Sequence, residues 1–244
     1  MSGYGEDLAY IHHSGFMALA ERATPQVIEL LRRAGIGSGL VVELGCGSGL
    51  TARGLVDEGY EVLGIDASPA MIELARHNAP GAELRVGSFV SEPLPPCAAV
   101  IAIGEVLGYL LDPRAGMAEI ERLFARVHAA LAPGGLFVFD LAGPGRAPGP
   151  GPTRNHALGS DWAVLHEASE DPEGRLLRRR ITTFRHEPEG DGYRRSEERH
   201  ELVLLPAQEA LAKLRACGFT ARSLRGYGGK RMAPGHSVFV ARRR

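Results

Sequence analysis

Cysteine is scarce in this chain: Cys46, Cys97 and Cys217 are spread over 244 residues, and no two form a CxxC pair. Thiols so sparse exclude a disulfide framework and a cysteine-based zinc site, so no metal is expected, and they suit a reducing compartment. An excess of charge of one sign is also missing, since 28 Lys and Arg face 29 Asp and Glu for a formal net charge of −1. That balance argues against nucleic-acid binding through broad electrostatics. The local clusters Arg178–Arg180 and Arg242–Arg244 read as a solvated strand face and a frayed tail. A bilayer-spanning apolar run is lacking too, because the longest, Cys97–Leu111, is short and contains Glu105. Finally, Glu6, Asp7, His12 and His13 interrupt the start, so no basic-then-apolar leader is read there. A cytoplasmic protein that contacts neither membrane nor nucleic acid is the expectation.

What is present is an ordinary globular composition, 44% hydrophobic and 23% charged, sufficient for one large domain or a domain with an insertion. Over residues 4–34 apolar positions recur at helical spacing, and Thr24-Pro25 reads as the start of a second helix. Strand and helix then alternate. Leu40–Leu44, Glu61–Ile65, Glu83–Val86, Ala98–Ile103 and Leu136–Leu141 read as strands. Between them, helices are predicted over Leu50–Glu58, from Ser68-Pro69 to His77, and from Asp112-Pro113 to Leu131. Repeated βα units imply a parallel sheet covered on both faces, with right-handed crossovers.

Ala142–Arg154, crowded with Gly and Pro, reads as a loop. Three strands follow, Trp162–Ala168, Leu176–His186 and Tyr193–Leu204, separated by turns at Asp171–Gly174 and Pro188–Gly192. They suggest an antiparallel meander inserted into the α/β unit. Pro206–Ala216 reads as a helix, and Phe219–Leu224 with Ser237–Ala241 as a closing strand pair. The predicted organisation is therefore a helical lid over 1–35, an α/β domain over 36–145 and 206–244, and a β subdomain over 146–205.

Chemistry enters at Glu43-Leu-Gly-Cys-Gly-Ser-Gly49, between the first strand and its helix. Glycines let backbone approach a ligand closely, and the helix start offers free N–H groups. The spacing is GxGxG; a dinucleotide fingerprint would need glycine at position 50, where Leu50 stands. Asp66 ends the second strand, where a carboxylate can accept both hydroxyls of an adenosyl ribose.

Val41–Leu50, Val62–Met71 and Leu131–Phe137 together resemble the successive motifs of class I S-adenosylmethionine (SAM)-dependent methyltransferases. The resemblance covers residues 40–141 and, more weakly, the closing strand pair. It implies a Rossmann-like, seven-stranded, mostly parallel sheet with SAM as cofactor. Glu43 and Gly49 belong to the cofactor loop; Gly45, Cys46 and Gly47 would line the methionine portion, and Asp66 would hold the ribose. Ala67 and Met71 would flank the adenine, and Gly87-Ser88-Phe89 would approach its edge. The family often has an acid at position 88, so Ser88 is a departure. The segment Ile103–Leu110 would line the sulfonium side, which brings in Gly104, Glu105 and Tyr109.

Methyl transfer from a sulfonium is an in-line displacement, in which alignment and a dry site matter most. An acid in an apolar run is costly to bury unpaired, so Glu105 balances the sulfonium, holds an acceptor amine or pairs with an arginine. Tyr109 points into the pocket or into the core. In relatives of this kind the N-terminal helix folds over the cofactor, and Tyr10 and His13, three residues apart, would face one cleft. In the meander, His200 is the candidate base. The meander could roof the active site or form a homodimer contact. The expected function is methylation of nitrogen or oxygen on a small molecule, with a natural-product intermediate as one candidate. Alternatives are non-methyl alkyl transfer or cyclisation of SAM, and an NAD-dependent oxidoreductase or a nucleotide-binding module without catalysis.

Overall fold

The computed structural model describes residues 3–147, 149, 151–187 and 189–244. Helices α1 (Glu6–Gly15) and α2 (Ala18–Arg33) precede β1 (Leu40–Leu44), α3 (Leu50–Asp57), β2 (Glu61–Asp66), α4 (Pro69–Asn78), β3 (Glu83–Val86) and β4 (Cys97–Ala102). A 3₁₀ turn at Val106–Gly108 leads to α5 (Met117–Ala130) and β5 (Leu131–Ala142). Next come β6 (Thr153–Leu158), β7 (Trp162–Glu170), β8 (Leu176–His186) and β9 (Tyr193–Val203). The chain closes with α6 (Ala207–Ala216), β10 (Phe219–Leu224) and β11 (His236–Arg243).

The main sheet has the order β10-β11-β5-β4-β1-β2-β3, all parallel except β11, which runs antiparallel to both neighbours. Both faces are apolar. Along β5, Phe137, Phe139 and Leu141 face α5 and α6, while Leu136 and Val138 join the α2–α3 side. The Phe139 ring lies 5.0 Å from Phe239 on β11 and 5.5 Å from Phe124 on α5. Truncating such a buried ring to alanine costs ~3–5 kcal/mol. Strands β2 and β4 flank β1 on opposite sides, so their connections leave in opposite directions and open a crevice beyond the carboxyl ends.

A second sheet, β6-β7-β8-β9, is antiparallel throughout. Leu8 and Ile11 of α1 bury against its Trp162, Val164 and Ile181, which fixes the rotation of that helix.

Several elements depart from expectation. Helix α2 starts at Ala18 and runs through Pro25; Thr24 Oγ1 donates to Ala20 O at 2.7 Å there. Packing of Val27, Ile28 and Leu31 outweighs the single bond the proline removes. Helix α5 starts at Met117, because Asp112 accepts the Arg114 N–H at 2.9 Å in a separate turn. The supposed loop over Ala142–Arg154 ends inside β6, a polar, exposed strand that pairing with β7 creates; Pro148 and Pro150 of that loop, and Pro188 of the predicted turn, lie outside the described residues. Arg179 is not a solvated strand residue, since its side chain is 10% exposed, and the terminal arginines include Arg243 within β11.

Candidate functional site

A cavity of about 780 Å³ lies beyond the carboxyl ends of β1, β2 and β4, under α1 and the start of α2. Its floor is the glycine loop. Gly45 has φ +67°, and a Cβ there would fall 2.4 Å from Val106 Cγ2. Gly47 has φ +53° and nothing within 4 Å of a Cβ position, so its backbone faces open cavity. Gly49 does not line the cavity; it caps α3 with φ +84°, and a Cβ there would fall 3.0 Å from Ala75 on α4.

Asp66 sits beside this loop, its Oδ2 accepting from Gly47 N at 2.9 Å and its Oδ1 from Ser68 N at 2.8 Å. Each oxygen keeps lone-pair capacity for a ligand. Burial raises its pKa. Glu43, buried at the end of β1, is raised to about 8 by burial first and by Asp66 second. Its Oε2 has no partner among the described residues, and the side chain lines the cavity. A buried carboxyl oxygen without a partner beside a cavity suits a cationic ligand. Cys46 lines the same wall, its thiol pushed well up by burial.

Ser68 caps α4 by accepting from Met71 N at 3.1 Å, as Ser68-Pro69 predicted, and this sets Ala67 and Met71 on the wall. Gly87 N donates to Asp66 O at 2.9 Å, which brings Gly87, Ser88 and Phe89 to the same chamber.

Beyond β4, Gly104 lines the cavity but Glu105 does not. Its carboxylate turns into a buried ion cluster with Arg179 and with Arg146, 2.6 Å away, and His236 Nδ1 lies 3.6 Å off. Burial alone would raise its pKa, but Arg179, His236 and Arg146 outweigh that and hold it at about 2. The arginine pairing anticipated for Glu105 is therefore what the structure holds. Asp140 fixes the backbone of this segment: it accepts from Gly104 N, Glu105 N, Tyr227 Oη and His236 Nε2 at 2.6–3.1 Å. Sequence reading missed Asp140; an acid inside the strand Leu136–Leu141 was the available signal.

The other sequence candidates separate. Tyr109 lines the cavity, with its hydroxyl 3.3 Å from Tyr4 Oη and 3.1 Å from Arg179 Nη1. Tyr10 turns to the meander instead, donating to Asp161 at 2.7 Å under the Arg185 guanidinium. His13 lies outside the lining but holds Ser48 Oγ of the glycine loop at 3.0 Å. The two residues do not share a cleft, because anchoring Leu8 and Ile11 on the meander turns their face aside and brings His12 and Phe16 to the cavity. His200 is buried off the cavity, with Nε2 2.9 Å from Glu198 Oε2 and its ring against Tyr4 and Tyr109. Glu198 in turn accepts from Tyr4 N and Gly5 N, and Asp7 pairs with Arg194, so α1 is tied to the meander by ions. Tyr4, Met17, Ser48, Thr51 and Arg114 were not among the predicted site residues, yet all line the cavity. No group of three or more His, Cys, Asp or Glu among the described residues is arranged to hold a metal.

Residues 41–135 match the family model described as a methyltransferase domain. The whole fold is that of class I methyltransferases. A SAM-dependent methyltransferase from Clostridium acetobutylicum superposes with TM-score 0.80 at 16% identity, covering 96% of this chain and 97% of that one. CalS10, an amino pentose methyltransferase from Micromonospora echinaspora with SAM bound, gives 0.75 at 22% identity over 100% and 99%. An uncharacterized methyltransferase of Oceanobacillus iheyensis is 29% identical over 99 residues, 41% of this chain and 45% of the relative. The matched segments span less than half the length of the curated relatives.

Proposed function

Given a methyltransferase domain over residues 41–135 in a class I fold, we propose that the chain binds SAM and methylates nitrogen or oxygen of a small molecule. The observation that carries this reading is the two acids of one cavity wall: Asp66, beside Gly47, and Glu43, whose Oε2 has no partner among the described residues. Asp66 takes the ribose hydroxyls, Ala67, Met71 and Gly87–Phe89 enclose the adenine, and Glu43 balances positive charge on the methionine end. When bound, SAM supplies an electrophilic methyl group. The chain contributes alignment, a floor without side chains at Gly45 and Gly47, and an aromatic wall that excludes water.

A cavity of this size has room for a small acceptor beside the cofactor. Amino-sugar chemistry is the favoured class, supported by CalS10 and by KedS8, a sugar N-methyltransferase from Streptoalloteichus sp. of TM-score 0.75 and 23% identity. We read 36–145 with 206–244 as the cofactor domain, 1–35 as its lid, and 146–205 as an insertion that anchors the lid and can carry a homodimer contact. A cytoplasmic location agrees with the three free cysteines, and no helix among the described residues is long and apolar enough to cross a membrane. The test is to incubate the protein with SAM and amino sugars and identify the nucleoside product by mass spectrometry. S-adenosylhomocysteine (SAH) with a methylated sugar is expected; methylthioadenosine would indicate another transfer from SAM and overturn the methyl reading.

A further inference from the structure

Three carboxylates line the cavity: Glu43 and Asp66 at the ends of β1 and β2, and Asp112 on the chain beyond β4. Strand β2 lies between β1 and β3 in the sheet, so Asp66 stands between the glycine loop and the segment Gly87–Phe89. Backbone ties it to both: its Oδ2 accepts from Gly47 N at 2.9 Å and its carbonyl from Gly87 N at 2.9 Å. A nucleoside gripped at Asp66, with its amino-acid end on the glycine loop, therefore sends its base toward Gly87–Phe89. Ser88 and Asp112 both line that chamber. Asp112 Oδ1 accepts from Arg114 N at 2.9 Å and Nε at 3.0 Å, and its Oδ2 from Arg114 Nη2 at 2.8 Å. The arginine is 62% exposed and lies toward solvent, while the Asp112 side chain keeps 11% of its surface open on the cavity wall.

The Arg114 guanidinium first, and a hydrogen bond from Ser88 among smaller contributions, hold the Asp112 carboxyl well below the usual carboxylate range. An ionised carboxylate can only accept. Ser88 gives its proton to Asp112, and its oxygen accepts from Val90 N at 3.2 Å, so the lone pair it has left is also an acceptor. The two side chains thus present an edge without a donor. We infer that Asp112, acting with Ser88, sets the base specificity of the cofactor site: their oxygens accept the N–H of the adenine exocyclic amine. This rests on the SAM-dependent reading above. A carboxylate that position 88 lacks is brought to the base from position 112, and a base carrying a carbonyl in place of the amine would set oxygen against oxygen there.

The test compares SAH with S-inosylhomocysteine, in which a carbonyl replaces the amine. Both affinities are measured by calorimetry on wild type, Asp112→Ala and Asp112→Asn. Wild type should prefer SAH by on the order of a hundredfold, because the carbonyl leaves the acceptors of the site unpaired. In each variant the preference should fall about tenfold, in alanine by weakening SAH and in asparagine by admitting the inosine compound through the amide N–H. A wild type without preference, or an unchanged preference in either variant, overturns the assignment. An equal loss of both ligands also overturns it, since Asp112 would then only hold its turn with Arg114. Failure of wild type to bind SAH overturns the SAM reading and this inference with it.

Discussion

Replacing Glu43 with glutamine separates the energetic cost of the cofactor site from its benefit. The Glu43 side chain is buried, and its carboxyl is raised from 4.5 to about 8 by burial and by Asp66. The folded state therefore holds a proton that the unfolded chain releases above about 4.5. Its contribution to stability is complete below that pH and is lost as pH rises through 8. At about 1.36 kcal/mol per pH unit, the full span corresponds to about 5 kcal/mol. A glutamine side chain cannot ionise, so the Glu43→Gln variant lacks this slope. Urea denaturation of cofactor-free protein from pH 5 to 8 should show the variant gaining on wild type by about 3–5 kcal/mol. The same substitution should weaken SAM binding most at pH 8 and above, where the wild-type carboxyl ionises and can offset the cation. A wild-type-minus-variant difference that stays flat across this range would refute the placement of a strained acid at the end of β1.

Arg179→Met should destabilise the protein by ~3–5 kcal/mol in urea, because it leaves Glu105 buried with the half-exposed Arg146 as its remaining arginine. Glu105, held at about 2, contributes stability above pH 4.5 that is lost as pH falls toward 2, and the variant should lose part of that acid resistance; a loss under 1 kcal/mol would contradict the pairing. Asp7→Asn should free α1 from Arg194 and Ser196 and shift the emission of Trp162, the chain's single tryptophan, against which Gly15 and Phe16 pack. An unchanged spectrum would mean that this ion pair does not hold the lid. His200→Ala should cost ~1–3 kcal/mol by leaving Glu198 without a partner on β9, with turnover lowered through the lid more than through proton transfer. A large fall in turnover with unchanged stability and an unchanged Trp162 spectrum would restore His200 as the base.

The glycine loop and Asp66 stand out in sequence as parts of a cavity wall, because close backbone approach demands glycine and a strand-end acid is unusual among Val, Leu and Ile. The parallel strands were legible for a related reason: β4 and the inner part of β5 are apolar on both faces, as only a doubly covered strand can be. The face of α1 was not legible. Tyr10 and His13 have the right spacing, but Leu8 and Ile11 pack on a subdomain more than 150 residues away, and that contact decides which aromatics reach the cavity. Strand β6 was hidden for the same reason, since its polar sequence becomes a strand only by pairing with β7. Asp140 was hidden in plain view, its role evident only once four donors converge on it from the β4 exit, Tyr227 and His236.

The central claim is that this cavity is built for SAM, with Asp66 gripping the ribose. Calorimetric titration of wild type and Asp66→Ala with SAM, and of wild type with NAD, tests it most directly. The expected result is one SAM site in wild type, at least tenfold weaker in Asp66→Ala because two ribose hydroxyls lose their acceptor, and no binding of NAD. Equal SAM affinity in the two proteins, or binding of NAD alone, would contradict it.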